Sequence, residues 1–256
     1  MYAPTSTEFV QSLDRGLAVL RAFDHDRSSL TLADAARATG LTRATARRLL
    51  HTLVAIGYVS TDGKLFELTP KVLDLGYAYV SSLHLSDIAQ PYMENLSAQV
   101  HESVSAAVLD GTQVVYVARV NTQRIMTISL SIGSRLPALW TSMGRAILSG
   151  LSDADLDNFL RDAPIHPPTP RSLTDRDALR AEILSIRSQG YALLDQELEE
   201  GVRSVAAPLH DRSGRTLAAM NLSTHAGRVT LKELRSEMLP LLLETAAQIN
   251  VQLAKK

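Results

Sequence analysis

The sequence predicts an α+β protein with a mainly helical N-terminal part and a C-terminal part that mixes helices with antiparallel strands. Two observations support this prediction. Apolar residues recur at helical spacing through the first fifty residues or so, and short β-type runs joined by Asp-Gly and Ser-Gly turns follow between residues 103 and 223. Strands linked by hairpins and accompanied by helices are typical of an α+β domain built on one antiparallel sheet.

Three helices are predicted in the N-terminal part. The first has an amphipathic face made of Leu13, Leu17, Leu20 and Phe23. Thr31 is placed to cap the second, whose buried stripe is Leu32, Ala35 and Ala36. Gly40 suits the left-handed conformation that ends a helix, and Thr42 is positioned to cap the third at once. Two short helices joined by so tight a turn indicate a helix-turn-helix.

The third helix is predicted to be apolar on one face and basic on the other. Its buried face consists of Ala46, Leu49, Leu50, Leu53 and Val54. Its opposite face carries Arg43, Thr45, Arg47, Arg48 and His51, and no acidic residue lies between positions 41 and 60. A solvated basic face is the plain interpretation of this charge, whereas a helix placed in the major groove of DNA is the functional one.

A hairpin after the third helix favours the functional interpretation. Residues 57–60 and 65–68 are β-type runs around Thr61, Asp62, Gly63 and Lys64, and Asp-Gly is a strong hairpin signal. This hairpin would be the wing of a winged helix-turn-helix domain. We therefore predict these DNA contacts: Thr42, Arg43, Thr45, Arg47, Arg48, His51 and Lys64. The pattern does not say which of them reads a base.

Charge restricts the kind of DNA binding that is expected. The net charge of the whole chain is −1, and acidic and basic residues nearly balance over residues 1–80. A protein that coats DNA through bulk positive charge is therefore excluded, and binding must come from a local basic patch. So small a footprint suggests a dimer whose two copies contact two half-sites of double-stranded operator DNA.

Pro70 ends the predicted wing, because proline has no amide donor for a continuing sheet. Apolar residues over 71–85 then predict a connecting helix with spare apolar surface for a second chain. The predicted domains are a winged helix-turn-helix over residues 1–70, a linker helix over 71–85 and an α+β domain over 86–256. The elements predicted in the last domain are helices over 87–100, 141–148, 175–189 and from about 230 onward, and strands over 103–109, 113–120, 125–130, 204–211 and 216–223.

Other classes of protein lack support in the sequence. The chain has no cysteine, which excludes disulfides and cysteine metal sites, and its seven histidines are scattered without zinc-ligand spacing. No H-E-x-x-H helix, G-x-S-x-G elbow or P-loop occurs, so neither an enzyme nor a cofactor is predicted. The acidic residues Glu197, Glu199 and Glu200 are expected to be solvated. Without a signal peptide or a long apolar run, a cytoplasmic protein is expected. An enzyme and a protein-interaction module that uses the wing remain the alternatives.

Three long segments carry a resemblance to a known family. SLDRGLAVLRAF (residues 12–23), SRLPALWTSMGRAILSGL (134–151) and GYALLDQELEEGVRSVAAPLHDRSGRTLAAMNLS (190–223) resemble the IclR family of transcriptional regulators. Residues 124–138 are similar to the branch that regulates protocatechuate and 4-hydroxybenzoate pathways. The resemblance implies a GAF-like C-terminal domain that binds a small effector, and a homodimer or dimer of dimers.

The resemblance also implies where the effector binds. Carried over by motif position, the pocket residues are Ile125, Ser142, Met143, Leu194, Val202, Ser204, Asn221 and Ser223. Backbone amides at Ser142, Met143 and Gly144 are placed at a helix start, where they can hold an anion. Arg135 and Arg124 are the nearest basic residues and are predicted to pair with an effector carboxylate. The predicted effector is a small carboxylate, most simply an aromatic acid.

Overall fold

The computed structural model describes residues 8–24, 27–76, 79, 85–121 and 130–255. The chain divides into two compact units, Met1–Ser82 and Leu83–Lys256. The strand predicted over 125–130 lies outside the described residues except for Leu130. Much of the linker helix predicted over 71–85 also lies outside the described residues. Its described part consists of a 3-10 turn at Pro70–Val72 and helical residues 73–76.

The first unit is a winged helix-turn-helix, as predicted. It contains α1 (Gln11–Arg21), α2 (Leu32–Thr39) and α3 (Arg43–Ala55), and the strands β1 (Ser29–Thr31), β2 (Val59–Thr61) and β3 (Leu65–Leu68). The strands form an antiparallel sheet in the order β1-β3-β2. Strand β1 was not predicted, because three residues are too short to show alternation. Val19, Leu30, Ala35 and Leu50 are almost fully buried in its core.

Local capping sets the turn between α2 and α3. Thr31 and Asp34 form a capping box at the start of α2, each side chain accepting from the other's backbone N–H at 3.2 Å. Gly40 ends α2 with a φ of 67°. Thr42 then caps α3 by accepting from the backbone N–H of Thr45 at 3.3 Å. The predicted caps and the predicted turn are therefore confirmed.

The second unit is an α+β domain with one antiparallel sheet. Its helices are α4 (Leu85–Val100), α5 (Ser142–Leu148), α6 (Asp153–Asp162), α7 (Arg176–Gln189) and α8 (Leu239–Leu253). A helical turn at Leu231–Glu233 and a π-helical segment at Leu234–Met238 precede α8. Its strands are β4 (Ser103–Asp110), β5 (Gln113–Val120), β6 (Arg135–Pro137), β7 (Ala192–Asp195), β8 (Val202–His210) and β9 (Thr216–His225). Their order across the sheet is β6-β5-β4-β9-β8-β7.

The sheet separates two hydrophobic cores. On one face, α4 and α8 pack against inward residues such as Met220 and Leu222. On the other face, α5, α6 and α7 pack against Ala206 and Ala219. Because side chains alternate along a strand, Asn221 and Ser223 lie on the same face as Ala219. A polar strip therefore extends from the second core toward one end of the sheet.

A β-bulge in β5 changes which residues share that face. Ala106 pairs with Ala118, whereas the next residue, Ala107, pairs with Tyr116, so Val117 is an extra residue on β5. Val117 and Ala118 consequently both pack in the core beside α4 and α8. Tyr116 and Arg119 emerge together on the opposite face, although two residues lie between them.

None of the helices within the described ranges combines the length and apolarity that crossing a membrane requires.

Candidate DNA interface and ligand cavity

The exposed face of α3 carries unneutralised positive charge. Arg43, Arg47 and Arg48 are all exposed, and none of them forms an ion pair with any described residue. On α2, by contrast, Arg37 pairs with Asp34 at 3.1 Å. Three neighbouring guanidinium groups repel one another unless an anion lies opposite, and a DNA phosphate backbone supplies such an anion.

Other predicted contacts surround these arginines. Thr42 and Thr45 lie at the start of α3, with their hydroxyl oxygens 3.0 Å apart. The ring of His51 packs edge-on against Phe66 of β3, with ring centroids 6.1 Å apart, so this histidine also joins the helix to the wing. Lys64 is exposed in the turn of the wing.

The turn of the wing has a defined geometry. Asp62 Oδ1 accepts hydrogen bonds from the backbone N–H groups of Leu65 at 2.7 Å and Lys64 at 2.8 Å. These bonds lower the pKa of Asp62, and Gly63 takes a φ of 96°. The Asp-Gly pair therefore holds Lys64 at the tip of the hairpin in the way the sequence predicted.

The second unit contains a cavity between the polar strip of the sheet, the start of α5 and the segment after β7. It brings together six of the predicted effector residues: Ser142, Leu194, Val202, Ser204, Asn221 and Ser223. The sequence interpretation missed the other lining residues, which are Tyr116, Arg119, Leu130, Trp140, Thr141, Glu197 and Leu198.

Two buried polar atoms at this cavity have no hydrogen-bond partner within the part of the chain that the structure describes. Ser142 Oγ neither donates a hydrogen bond to a described residue nor accepts one, and Asn221 Oδ1 accepts none from a described residue. The other end of the Asn221 amide is used, because Nδ2 donates to Ser223 Oγ at 3.0 Å. A buried polar group without a partner costs about 1–3 kcal/mol, so such groups at a cavity are suited to a ligand's polar atoms.

The cavity walls are otherwise apolar and aromatic. Burial raises the pKa of Tyr116 to about 12, so its phenol stays neutral well above physiological pH. Trp140 is buried and donates from Nε1 to the backbone oxygen of Leu173 at 3.0 Å, which fixes its ring. With Leu194 from β7, these side chains form walls suited to a flat, apolar ligand body.

Met143 and Gly144 lie away from the cavity lining. Met143 is fully buried in the core between the sheet and α5. The Gly144 N–H donates to Thr141 Oγ1 at 3.1 Å, so this amide is already used by the helix cap. A Cβ at Gly144 would lie 2.1 Å from the carbonyl oxygen of Ala138, which explains the glycine by close packing. The expectation that the Gly144 amide is free for an anion is therefore corrected.

One of the two predicted carboxylate partners, Arg135, also lies elsewhere. Arg135 is exposed on the edge strand β6, where it pairs with Asp110 and donates to Gln113 Oε1 at 3.0 Å, and it does not line the cavity. Arg124 and Ile125 lie outside the described residues. Arg119 of β5 lines the cavity instead. Its Nη1 donates to Ser105 Oγ at 3.0 Å, and its Nε donates to Asn121 Oδ1 at 2.6 Å.

Glu197 is buried, which contradicts the expectation that this acidic cluster is solvated. Its two carboxylate oxygens accept from the guanidinium of Arg145, which is 1% exposed, at 2.8 and 2.5 Å. Glu197 Oε2 also accepts from the backbone N–H of Leu173 at 3.1 Å. The pair joins α5 to the segment after β7 at the wall of the cavity. Glu200 in the same segment is exposed.

No group of three or more potential metal ligands occurs in the part of the chain that the structure describes. The first unit thus carries a basic helix face and wing suited to DNA, and the second contains a cavity suited to a small organic ligand. This combination defines a DNA-binding transcriptional regulator.

Comparison with known proteins identifies the family. Residues 12–63 match the IclR helix-turn-helix domain, and residues 77–251 match the bacterial transcriptional regulator IclR C-terminal family. The chain is 46% identical to the Pca regulon regulatory protein of Pseudomonas putida, across 96% of this chain and 85% of that relative. It is 35% identical to the p-hydroxybenzoate hydroxylase transcriptional activator of Acinetobacter baylyi, across 94% of this chain and 91% of that one.

Two solved structures support the same family. A transcriptional regulator from Rhodococcus sp. RHA1 aligns with a TM-score of 0.89 at 55% identity, across 96% of this chain and 99% of that one. A double mutant of the PobR inducer-binding domain from Acinetobacter, in complex with 3-hydroxybenzoic acid, aligns with a TM-score of 0.61 at 33% identity, across 65% and 98%. The chain belongs to the IclR family of bacterial transcriptional regulators.

Proposed function

We propose that this regulator controls genes for the catabolism of aromatic acids, and that a small aromatic carboxylate in the cavity of the second unit governs its DNA binding. The observation that carries this proposal is a cavity with aromatic walls onto which two buried atoms, Ser142 Oγ and Asn221 Oδ1, open without a hydrogen-bond partner among the described residues. The names of the relatives support the pathway, and the bound 3-hydroxybenzoic acid in the PobR domain supports the ligand class.

Regulation requires more than binding. An effector changes DNA affinity only if it binds one arrangement of the protein more tightly than another. We propose that the Arg145–Glu197 pair couples the ligand to the rest of the domain, since it joins α5 to the segment after β7 that lines the cavity. Ile125 remains a proposed effector contact on the strength of the family resemblance.

In the first unit, we propose that α3 enters the major groove and that the wing contacts the phosphate backbone. Arg43, Arg47 and Arg48 contribute the charge, and a bidentate contact from one of them to guanine discriminates by about 1–3 kcal/mol. Thr42 and Thr45, at the N-terminal end of α3, approach base edges or phosphates. His51 and Lys64 add contacts beside the helix and at the wing.

The first unit also offers a surface for a second copy of the chain. Leu13 and Leu17 of α1, Ile56 after α3 and Leu75 line an apolar groove and are 63%, 43%, 48% and 52% exposed. Exposed apolar residues gathered in one groove favour association. We propose a homodimer through this groove, with a dimer of dimers as the larger assembly.

The finer organisation follows the same scheme. The DNA-binding domain is proposed to span residues 1–70, the linker helix 71–85 and the effector domain 86–256. The protein is proposed to act in the cytoplasm, where bacterial operators are accessible, and without catalysing a reaction.

A thermal-shift screen tests the proposal. The full-length protein is melted with 4-hydroxybenzoate, 3-hydroxybenzoate, protocatechuate, benzoate and 3-oxoadipate, and operator binding is measured with and without each acid. A ligand that binds the folded state raises the melting temperature, and the rise grows with the logarithm of the ligand concentration relative to the dissociation constant. We expect at least one aromatic acid to raise it and to change DNA affinity.

Two results would contradict the proposal. If no acid stabilises the protein, the cavity does not sense this class of ligand. If the protein binds its own promoter region no more tightly at low salt than at high salt, α3 does not act through phosphate contacts, and the alternative of a protein-interaction module is favoured.

A further inference from the structure

Charge is distributed unevenly around the cavity. Among the residues the structure describes, Arg119 and Glu197 are the charged side chains that line it. Glu197 is neutralised by Arg145 through two hydrogen bonds, and it takes a third from the Leu173 amide. Its charge is therefore already compensated inside the protein. For Arg119, no carboxylate among the described residues supplies such compensation.

The partners of Arg119 are neutral. Its guanidinium donates to the hydroxyl of Ser105 and to the side-chain oxygen of Asn121, and no carboxylate among the described residues contacts it. A guanidinium has five N–H donors, so these two bonds leave donors for another acceptor. Burial lowers the pKa of Arg119, which means that removal from water disfavours its charge. An anion beside it would offset that cost.

The neighbouring contacts also hold the guanidinium in place. Ser105 lies on β4, directly opposite Arg119 of β5 in the strand register, and Asn121 follows β5 by two residues. Because the donor group is oriented before the ligand arrives, little side-chain entropy is lost on binding.

The described lining of the cavity therefore offers a ligand three kinds of contact. Arg119 supplies the only uncompensated charge on the described lining, while Ser142 Oγ and Asn221 Oδ1 supply neutral hydrogen-bonding atoms. Tyr116 and Trp140 supply aromatic surface. A planar acid with a ring substituent that forms hydrogen bonds satisfies all three.

We infer that Arg119 is the partner of the effector carboxylate and makes the cavity selective for acids over their neutral analogues. The inference rests on the proposed function, since it names the residue of that same cavity that binds the charged group of the effector. Ser142 and Asn221 hydrogen-bond the hydroxyl of a hydroxybenzoate, and the aromatic side chains hold its ring.

The test compares acids with their carboxamides, which keep the shape and lose the charge. Dissociation constants of full-length wild-type protein are measured by calorimetry for 4-hydroxybenzoate and 4-hydroxybenzamide, and for protocatechuate and 3,4-dihydroxybenzamide. They are measured again for Arg119→Met, which retains length and apolar contacts, and for Arg119→Lys, which retains charge without the planar fork.

We expect the wild type to prefer the acid by about 10- to 100-fold, as for a hydrogen bond to a charged group. In Arg119→Met the preference falls to about one because acid binding weakens while amide binding changes little. Arg119→Lys retains an intermediate preference. Arg135→Gln is the matched control, since it removes an arginine that pairs with Asp110 outside the cavity, and it leaves the preference unchanged.

An undiminished preference in Arg119→Met, or an equal collapse in Arg135→Gln, would overturn the assignment while the proposed function stands. If the wild type binds none of the acids, the proposed function itself fails and the assignment fails with it. Melting temperatures without ligand show whether Arg119→Met is folded, and if it is not, the ratio for Arg119→Lys decides.

Discussion

Replacing Glu197 with alanine removes the acidic half of a buried ion pair and is expected to destabilise the second unit strongly. The variant loses two charge-assisted bonds to Arg145 and one bond from the Leu173 amide. Arg145 is left 1% exposed with the carbonyl oxygen of Leu139 as its remaining partner, at 2.7 Å. Stranding a buried charge in this way costs about 3–5 kcal/mol.

That cost converts into a measurable shift. For a domain of this size, each kcal/mol lowers the melting temperature by about 2–4 °C, so Glu197→Ala is expected to lower it by roughly 6–20 °C. Differential scanning calorimetry measures the shift directly. Glu200→Ala is the matched control, because Glu200 lies in the same segment but is exposed, and it is expected to change the melting temperature very little.

A double variant separates the ion pair from its surroundings. Replacing Arg145 with methionine and Glu197 with leucine removes both charges and retains most of the volume, so the loss should be smaller than for Glu197→Ala alone. The reasoning is refuted if Glu197→Ala costs less than about 1 kcal/mol, the usual range for an exposed pair. It is equally refuted if the double variant is as unstable as the sum of the single ones.

Four further predictions concern DNA binding, assembly, packing and titration. Arg47→Ala is expected to weaken operator binding and lower the salt dependence by about one unit of slope in fluorescence anisotropy, with ligand-induced thermal shifts intact. If Arg47→Ala lost both operator binding and the ligand-induced thermal shifts, the variant would be misfolded. Leu17→Glu is expected to halve the molecular mass of the assembly in light scattering, because it charges the apolar groove; an unchanged mass would exclude that interface. Gly144→Ala is expected to lower the melting temperature, since its Cβ meets Ala138 backbone at 2.1 Å, and an unchanged value would contradict this packing. Because burial raises the Tyr116 pKa from 10.0 to about 12, its contribution to stability is complete below pH 10 and lost as pH rises through 12; absorbance titration should show one late phenol, absent from Tyr116→Phe.

Local features of this fold were predictable from the sequence because their causes lie within a few residues. Thr31, Gly40 and Thr42 end or begin helices through bonds to their immediate neighbours, so residue type and spacing suffice to place them. The Asp-Gly turn of the wing is equally local. On β9, plain alternation placed Asn221 and Ser223 on one face, and both line the cavity.

Contacts between distant residues were not predictable in the same way. Glu197 looked like one of several acidic residues in a loop, and nothing nearby in the sequence indicates that Arg145 neutralises it across 52 residues. Proximity along the chain to the predicted pocket makes Arg135 a candidate partner of the effector carboxylate. Its position on an edge strand, paired with Asp110, depends on a sheet register that the sequence does not reveal.

Arg119 shows why alternation fails at an irregular strand. Counting by twos along β5 puts Tyr116 and Arg119 on opposite faces, which would send the arginine into the apolar core beside α4 and α8. Because Val117 is an extra residue in β5, the alternation of side chains shifts by one position after it. Val117 and Ala118 therefore both pack in that core, and Arg119 lines the cavity. A charged residue that alternation assigns to a hydrophobic core is itself a signal, because burying an unpaired charge there is too costly. At such a position, a bulge that turns the charge toward a ligand is the physically favoured alternative.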